Sequence, residues 1–108
     1  MSRQPYRQGD VLLEPVATIP LGAIEQPRDR GRLVIAYGEV TGHSHVIDAP
    51  ASEATILTTR ENERFLRLVT AAPLVHEEHG TILVEPGLYR LPPQVEATDD
   101  DEPIRVLD

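Results

Sequence analysis

The chain predicts an all-β domain, a small barrel or sandwich. Short aliphatic runs recur at near-regular spacing, glycines and prolines separate them, and no apolar i, i+3, i+4, i+7 pattern is sustained anywhere. Its 108 residues suit one domain with a single modest core. Residues 1–108 read as one β domain, with a polar N-terminal arm over 1–9 and an acidic C-terminal segment over 98–108.

After the arm ends at Gly9, Asp10-Val11-Leu12-Leu13-Glu14-Pro15-Val16 opens the domain as a branched-residue strand stopped by proline. Residues 17–31 hold Pro20, Gly22, Pro27 and Gly31 and form a long connection, in which Leu21 to Glu25 make one helical turn at most. Arg32 to Tyr37 is a nearly continuous apolar run, so this strand has both faces covered and sits near the middle. Gly38 and Gly42 bracket a bend that aims the next strand, His43 to Asp48, before Ala49-Pro50 interrupts it. Ala54 to Thr58 is a further strand and Arg60 to Glu63 a turn. Phe65, Leu66, Leu68 and Val69 form the following strand, with Arg67 between them facing out or toward a carboxylate partner, and Pro73 limits continuation. Leu74-Val75-His76 and Thr81 to Glu85 flank a hairpin tip, and Pro86-Gly87 turns the chain into Leu88 to Leu91, which completes a β-meander. Beyond Pro92 the reading is a short strand at Val95-Glu96-Ala97, a solvated acidic loop at Asp99 to Glu102 and a last run at Ile104 to Leu107.

Composition removes several function classes. Ten Lys+Arg against eighteen Asp+Glu give a formal charge of −8, which repels a phosphate backbone, and an aromatic content of 4% leaves few rings to stack on bases. No nucleic-acid partner is expected. The absence of Cys excludes disulfides and thiolate metal sites, so any metal must be held by nitrogen and oxygen. The N-terminus lacks an apolar signal-like region and no run approaches a membrane span, so the expected location is the cytoplasm, with no membrane partner.

All four histidines fall into two short pairs, His43-Ser44-His45 and His76-Glu77-Glu78-His79. In a strand, alternate residues share a face, so His43 and His45 point the same way. The second pair precedes Gly80 and suits a turn whose first and fourth residues approach each other. His43, His45, His76 and His79 are therefore candidate ligands for a divalent transition metal such as zinc, iron or nickel, for which neutral imidazole is a good donor. Glu77 and Glu78 are candidates for a supporting carboxylate or a general base, though turn carboxylates are commonly just solvated. The second pair is one residue shorter than the H-E-x-x-H of zinc peptidases, and no phosphate loop, G-x-S-x-G elbow or Cys nucleophile is present.

Gly38 with His43-Ser44-His45, and Gly80-Thr81-Ile82-Leu83-Val84-Glu85-Pro86-Gly87, resemble the first and second motifs of cupins. That resemblance implies a cupin-like fold with a metal held by histidines, and Glu53 stands nearest to the usual cupin glutamate. Leu88 to Leu91 carries no histidine where cupins place their last ligand, so His76 or His79 would substitute. Gly38-Glu39-Val40-Thr41-Gly42-His43-Ser44-His45 with His76-Glu77-Glu78-His79-Gly80 also resembles a group of short bacterial proteins of unassigned function, and this resemblance implies no activity.

Two functions are consistent with these observations. One is a small metal-binding β-barrel whose histidine-rich site keeps an open position for a small-molecule ligand. The other is a nonenzymatic interaction domain that docks a protein through its edge strands or acidic tail, its histidines at the surface. In either case unpaired strand edges favour a homodimer, covered by the arm at Ser2 to Gln8 or the tail at Pro103 to Leu107.

Overall fold

A computed structural model describes residues 4–37 and 43–93. Ten strands are present: β1 (Tyr6–Gln8), β2 (Val11–Val16), β3 (Ile24–Glu25), β4 (Leu33–Tyr37), β5 (Ser44–Ile47), β6 (Ala54–Thr58), β7 (Arg64–Leu68), β8 (Ala72–Val75), β9 (Ile82–Val84) and β10 (Gly87–Leu91). They form a six-stranded sheet in the order β1-β2-β10-β7-β6-β3 and a four-stranded sheet in the order β4-β5-β8-β9. Every pairing between strands is antiparallel. Among the described residues there is no helix, none long and apolar enough to cross a membrane, and the two sheets do not close into a barrel. Of the two all-β architectures expected, the sandwich is the one observed.

Strand alternation builds the core. Val11 and Leu13 of β2, Ile56 of β6, Leu66 and Leu68 of β7 and Tyr89 and Leu91 of β10 meet Leu33, Ile47, Leu74 and Val84 of the smaller sheet. Tyr89 is fully buried, its hydroxyl donating to the Glu85 carbonyl at 2.6 Å, and Tyr6 packs edge-on against its ring.

Four expectations change. Residues 6–8 of the polar arm form β1, because Gly9-Asp10 is a two-residue hairpin loop pairing Gln8 with Val11, and Gly9 alone takes a positive φ of 61° there. Ile24–Glu25 is not a helical turn but an edge strand on β6. Pro73 does not limit the strand but lies inside β8, where its carbonyl accepts from the Asp48 amide at 2.9 Å and its missing N–H leaves the pairing with β9 intact. The meander also fails at its last step: β8 and β9 form a hairpin, but Pro86 precedes a crossing to the other sheet, where β10 pairs with β2 and β7. The bend at Gly38 to Gly42 and the readings beyond Pro93 lie outside the described residues.

The registers bring the start of β2, the end of β10 and the start of β7 to the end of the sandwich where β4 finishes and β5 begins. At this mouth β4 carries a bulge, since Val34 pairs with Val46 and Ala36 with His45, leaving Ile35 as the extra residue. Arg64 of β7 reaches across the gap and donates to the Ile35 carbonyl at 2.8 Å and the Val34 carbonyl at 3.4 Å. A cleft of about 210 Å³ opens here, lined by Val11, Ile35, Ala36, Arg64, Arg90 and Leu91 among others.

Candidate metal centre

All four histidines cluster at this same end of the sandwich, beside the cleft and not in its lining, with His45 paired to the cleft residue Ala36. His45 lies two residues before the core residue Ile47, and so shares its inward face; it is 4% exposed. His76 follows the end of β8, in line with inward Leu74, and its ring centroid is 4.3 Å from that of His45. His43 lies just before β5, its ring 5.7 Å from His76 and almost perpendicular at 85°. The His79 ring sits 4.7 Å from His76 and directly over Gly9, where a Cβ would lie 2.7 Å from its Nε2. Gly9 is thus required twice, for its backbone conformation and for this close approach.

Hydrogen bonds assign the ring protons. Gln8 is 2% exposed, and its amide nitrogen donates at 2.9 Å to both the Leu74 and the Gly80 carbonyls. Both N–H groups are committed, so its oxygen faces His45 Nδ1 at 2.8 Å and can only accept. His45 therefore carries its proton on Nδ1 and presents the Nε2 lone pair, as a metal-binding imidazole does. His43 is arranged in parallel, with Nδ1 3.4 Å from a Glu78 carboxylate oxygen. His76 is the reverse: its Nδ1 accepts from the Glu78 amide at 3.0 Å, which places the neutral ring's proton on Nε2.

One ligand atom from each of His43, His76 and Glu77 lies within 4.8 Å of the other two. Glu77 also accepts from the Ser44 amide at 3.4 Å. Its own backbone amide, then that of Ser44 and the nearby His43 and His76 rings, hold its carboxyl below the usual range, so it is charged at neutral pH. Burial, together with the neighbouring His76, brings His45 down from 6.5 to about 4 against the opposing pull of Asp10, so this ring is neutral at pH 7. Glu53 lies outside this cluster, its backbone N–H accepted by the Pro50 carbonyl in the turn before β6.

The sequence model of one family, described as a domain of unknown function (DUF8820), matches residues 7–94. The chain belongs to the DUF8820 family. No curated protein and no solved structure matches it. The match begins at Arg7, so the matched segment includes Gln8 and Gly9 as well as both histidine pairs.

Within this DUF8820 domain, sequence reasoning overlooked Gln8 and Asp10. Asp10 places a carboxylate oxygen 3.7 Å from His45 Nε2. The signal for both was Gly9-Asp10 between two strand-compatible stretches, which marks a tight hairpin and would have folded the arm back toward the histidines.

Proposed function

We propose that this domain binds a divalent transition-metal ion at the mouth of the sandwich through His43, His76 and Glu77, with His45 and His79 beside it. The convergence of those three donor groups within 4.8 Å carries the reading. Two imidazoles and a carboxylate are a donor set that zinc and ferrous iron use while keeping coordination positions open, and an open position accepts a small-molecule ligand. The Glu78 carboxylate beside His43 Nδ1 supports the reading further, since such a partner orients a ligating ring and raises its basicity. Ligation through His76 Nε2 would require its proton on Nδ1, which would forgo the hydrogen bond that the Glu78 amide now donates to that atom.

The test is calorimetric titration of metal-free, untagged protein with zinc and with nickel, for the parent and for His43→Ala. We expect saturable binding that weakens at least about tenfold in the variant. Absence of binding, or equal binding by the variant, removes the reading. A homodimer is proposed on separate grounds: β9 is a sheet edge with Leu83 59% exposed. Sedimentation should give a dimer mass well above micromolar concentration, and a monomer mass there would refute it.

A further inference from the structure

His45 does not fit easily onto the ion proposed for His43, His76 and Glu77, the reading on which this inference rests. A ring nitrogen's lone pair lies in the ring plane, and the His45 and His76 ring centroids are only 4.3 Å apart with planes tilted by 35°. Rings so disposed present their lone pairs side by side, whereas the 85° between His43 and His76 allows theirs to meet. Yet His45 is held as a ligand would be. Gln8 fixes the proton on Nδ1, which leaves Nε2 as an acceptor on a side chain 5% exposed.

What faces that acceptor is another acceptor. Asp10 Oδ1 stands 3.7 Å from Nε2, and among the described residues no N–H or O–H donates to either atom. Two acceptor groups at this separation repel unless positive charge lies between them: a shared proton, the hydrogens of a bridging water, or a metal cation. Two donors bound to one ion at about 2.1 Å each, with an angle of roughly 110–125°, are themselves roughly 3.4–3.7 Å apart. The observed separation falls at that limit.

We infer that His45 Nε2 and Asp10 Oδ1 form a second position for a divalent transition cation, so that the mouth takes two ions. The turn that places Asp10 is the one that delivers Gln8, so a single hairpin supplies both the carboxylate ligand and the group that orients the imidazole. His79, stacked at 20° to His45 with its ring over Gly9, borders the same position.

The experiment is zinc titration of the metal-free full chain, comparing the parent with Asp10→Asn and His43→Ala, with the histidine ring nitrogens followed by long-range proton–nitrogen correlation spectra. Asp10 is 42% exposed at a loop, and Asn keeps its shape, so this variant changes charge while leaving the fold in place. We expect two equivalents in the parent, with the His45 Nε2 resonance moving on the second. Asp10→Asn should weaken that equivalent at least about tenfold and leave the first unchanged, while His43→Ala does the reverse. One equivalent in the parent, lost in His43→Ala and kept in Asp10→Asn, overturns the second position and spares the first. No zinc bound at all overturns both. A His45 ring found doubly protonated at pH 7 also overturns it, because the cation between the two groups would then be a proton.

Discussion

His43 and His45 are separated by one residue, yet they belong to two different regions. His45 lies on a buried floor, where a glutamine with all its hydrogen bonds committed fixes the ring before any ligand arrives. His43 belongs to a rim, 28% exposed, whose companions Glu77 and Glu78 come from a loop and are largely in water. Floor geometry is determined by folding, and so a change there affects stability and binding together. Rim geometry is completed by whatever binds, so a change there affects binding with little cost to the fold.

The largest effect expected of this contrast is on the floor. Gln8→Leu strands the Leu74 carbonyl and the His45 Nδ1–H in a dry environment, each lost partner costing about 1–3 kcal/mol, whereas the part-buried Gly80 carbonyl turns to water. Urea denaturation should therefore show a loss of at least about 2 kcal/mol. A loss below about 1 kcal/mol would mean that water replaces the glutamine, and the floor would not be distinct from the rim.

Acid should separate the regions next. The value of about 4 for His45 lies below the ordinary 6.5, so the folded state favours the neutral ring. The stability from this group is complete above pH 6.5 and is lost as pH falls toward 4, amounting to about 3 kcal/mol over that window. The groups acting on it are His76, Asp10, His79 and Glu77. Chemical denaturation of metal-free protein between pH 7 and 4 should show this slope, and His43→Ala should retain it.

Smaller again is Gly9→Ala. A φ of 61° and a Cβ 2.7 Å from His79 Nε2 force that ring aside, and we expect a loss of about 1 kcal/mol. A shift of the His79 ring resonances in the variant would confirm the contact. The smallest stability effect belongs to Glu77→Gln, within about 0.5 kcal/mol of the parent, because the side chain sits on the exposed loop. Its zinc affinity should nevertheless drop at least about tenfold. A Gln variant that binds zinc like the parent would remove Glu77 from the site.

These regions were unequally legible in the sequence. Short aliphatic runs between turn residues marked eight of the strands, including Ala54–Thr58 to the residue, because such runs record a pleated surface buried on one face or both. β1 escaped notice, as Tyr6-Arg7-Gln8 is polar and is a strand only because the hairpin at Gly9 lays it on β2. The pairing of β10 with β2 and β7 was equally hidden, since a Pro-Gly turn looks the same whether the chain doubles back or crosses to another sheet. The histidines were legible as a cluster because their type and spacing are local properties. Their division was not, since it rests on Gln8 and Asp10, more than thirty residues away in the chain.

Arg64 bears on all of this from the opposite wall. The bulge at Ile35 turns two carbonyls toward the gap between the sheets, and one guanidinium from the larger sheet takes both. Burial lowers its pKa without neutralising it, and among the described residues no carboxylate pairs with it. Its length acts as a spacer that sets how far apart the two walls stand at this end. The two carbonyls are taken by two separate nitrogens of one planar group, Nη1 and Nη2, an arrangement that the single nitrogen of a lysine does not reproduce. The width of the sandwich at the histidine end is therefore gauged by one side chain that, among the described residues, hydrogen-bonds to none of them.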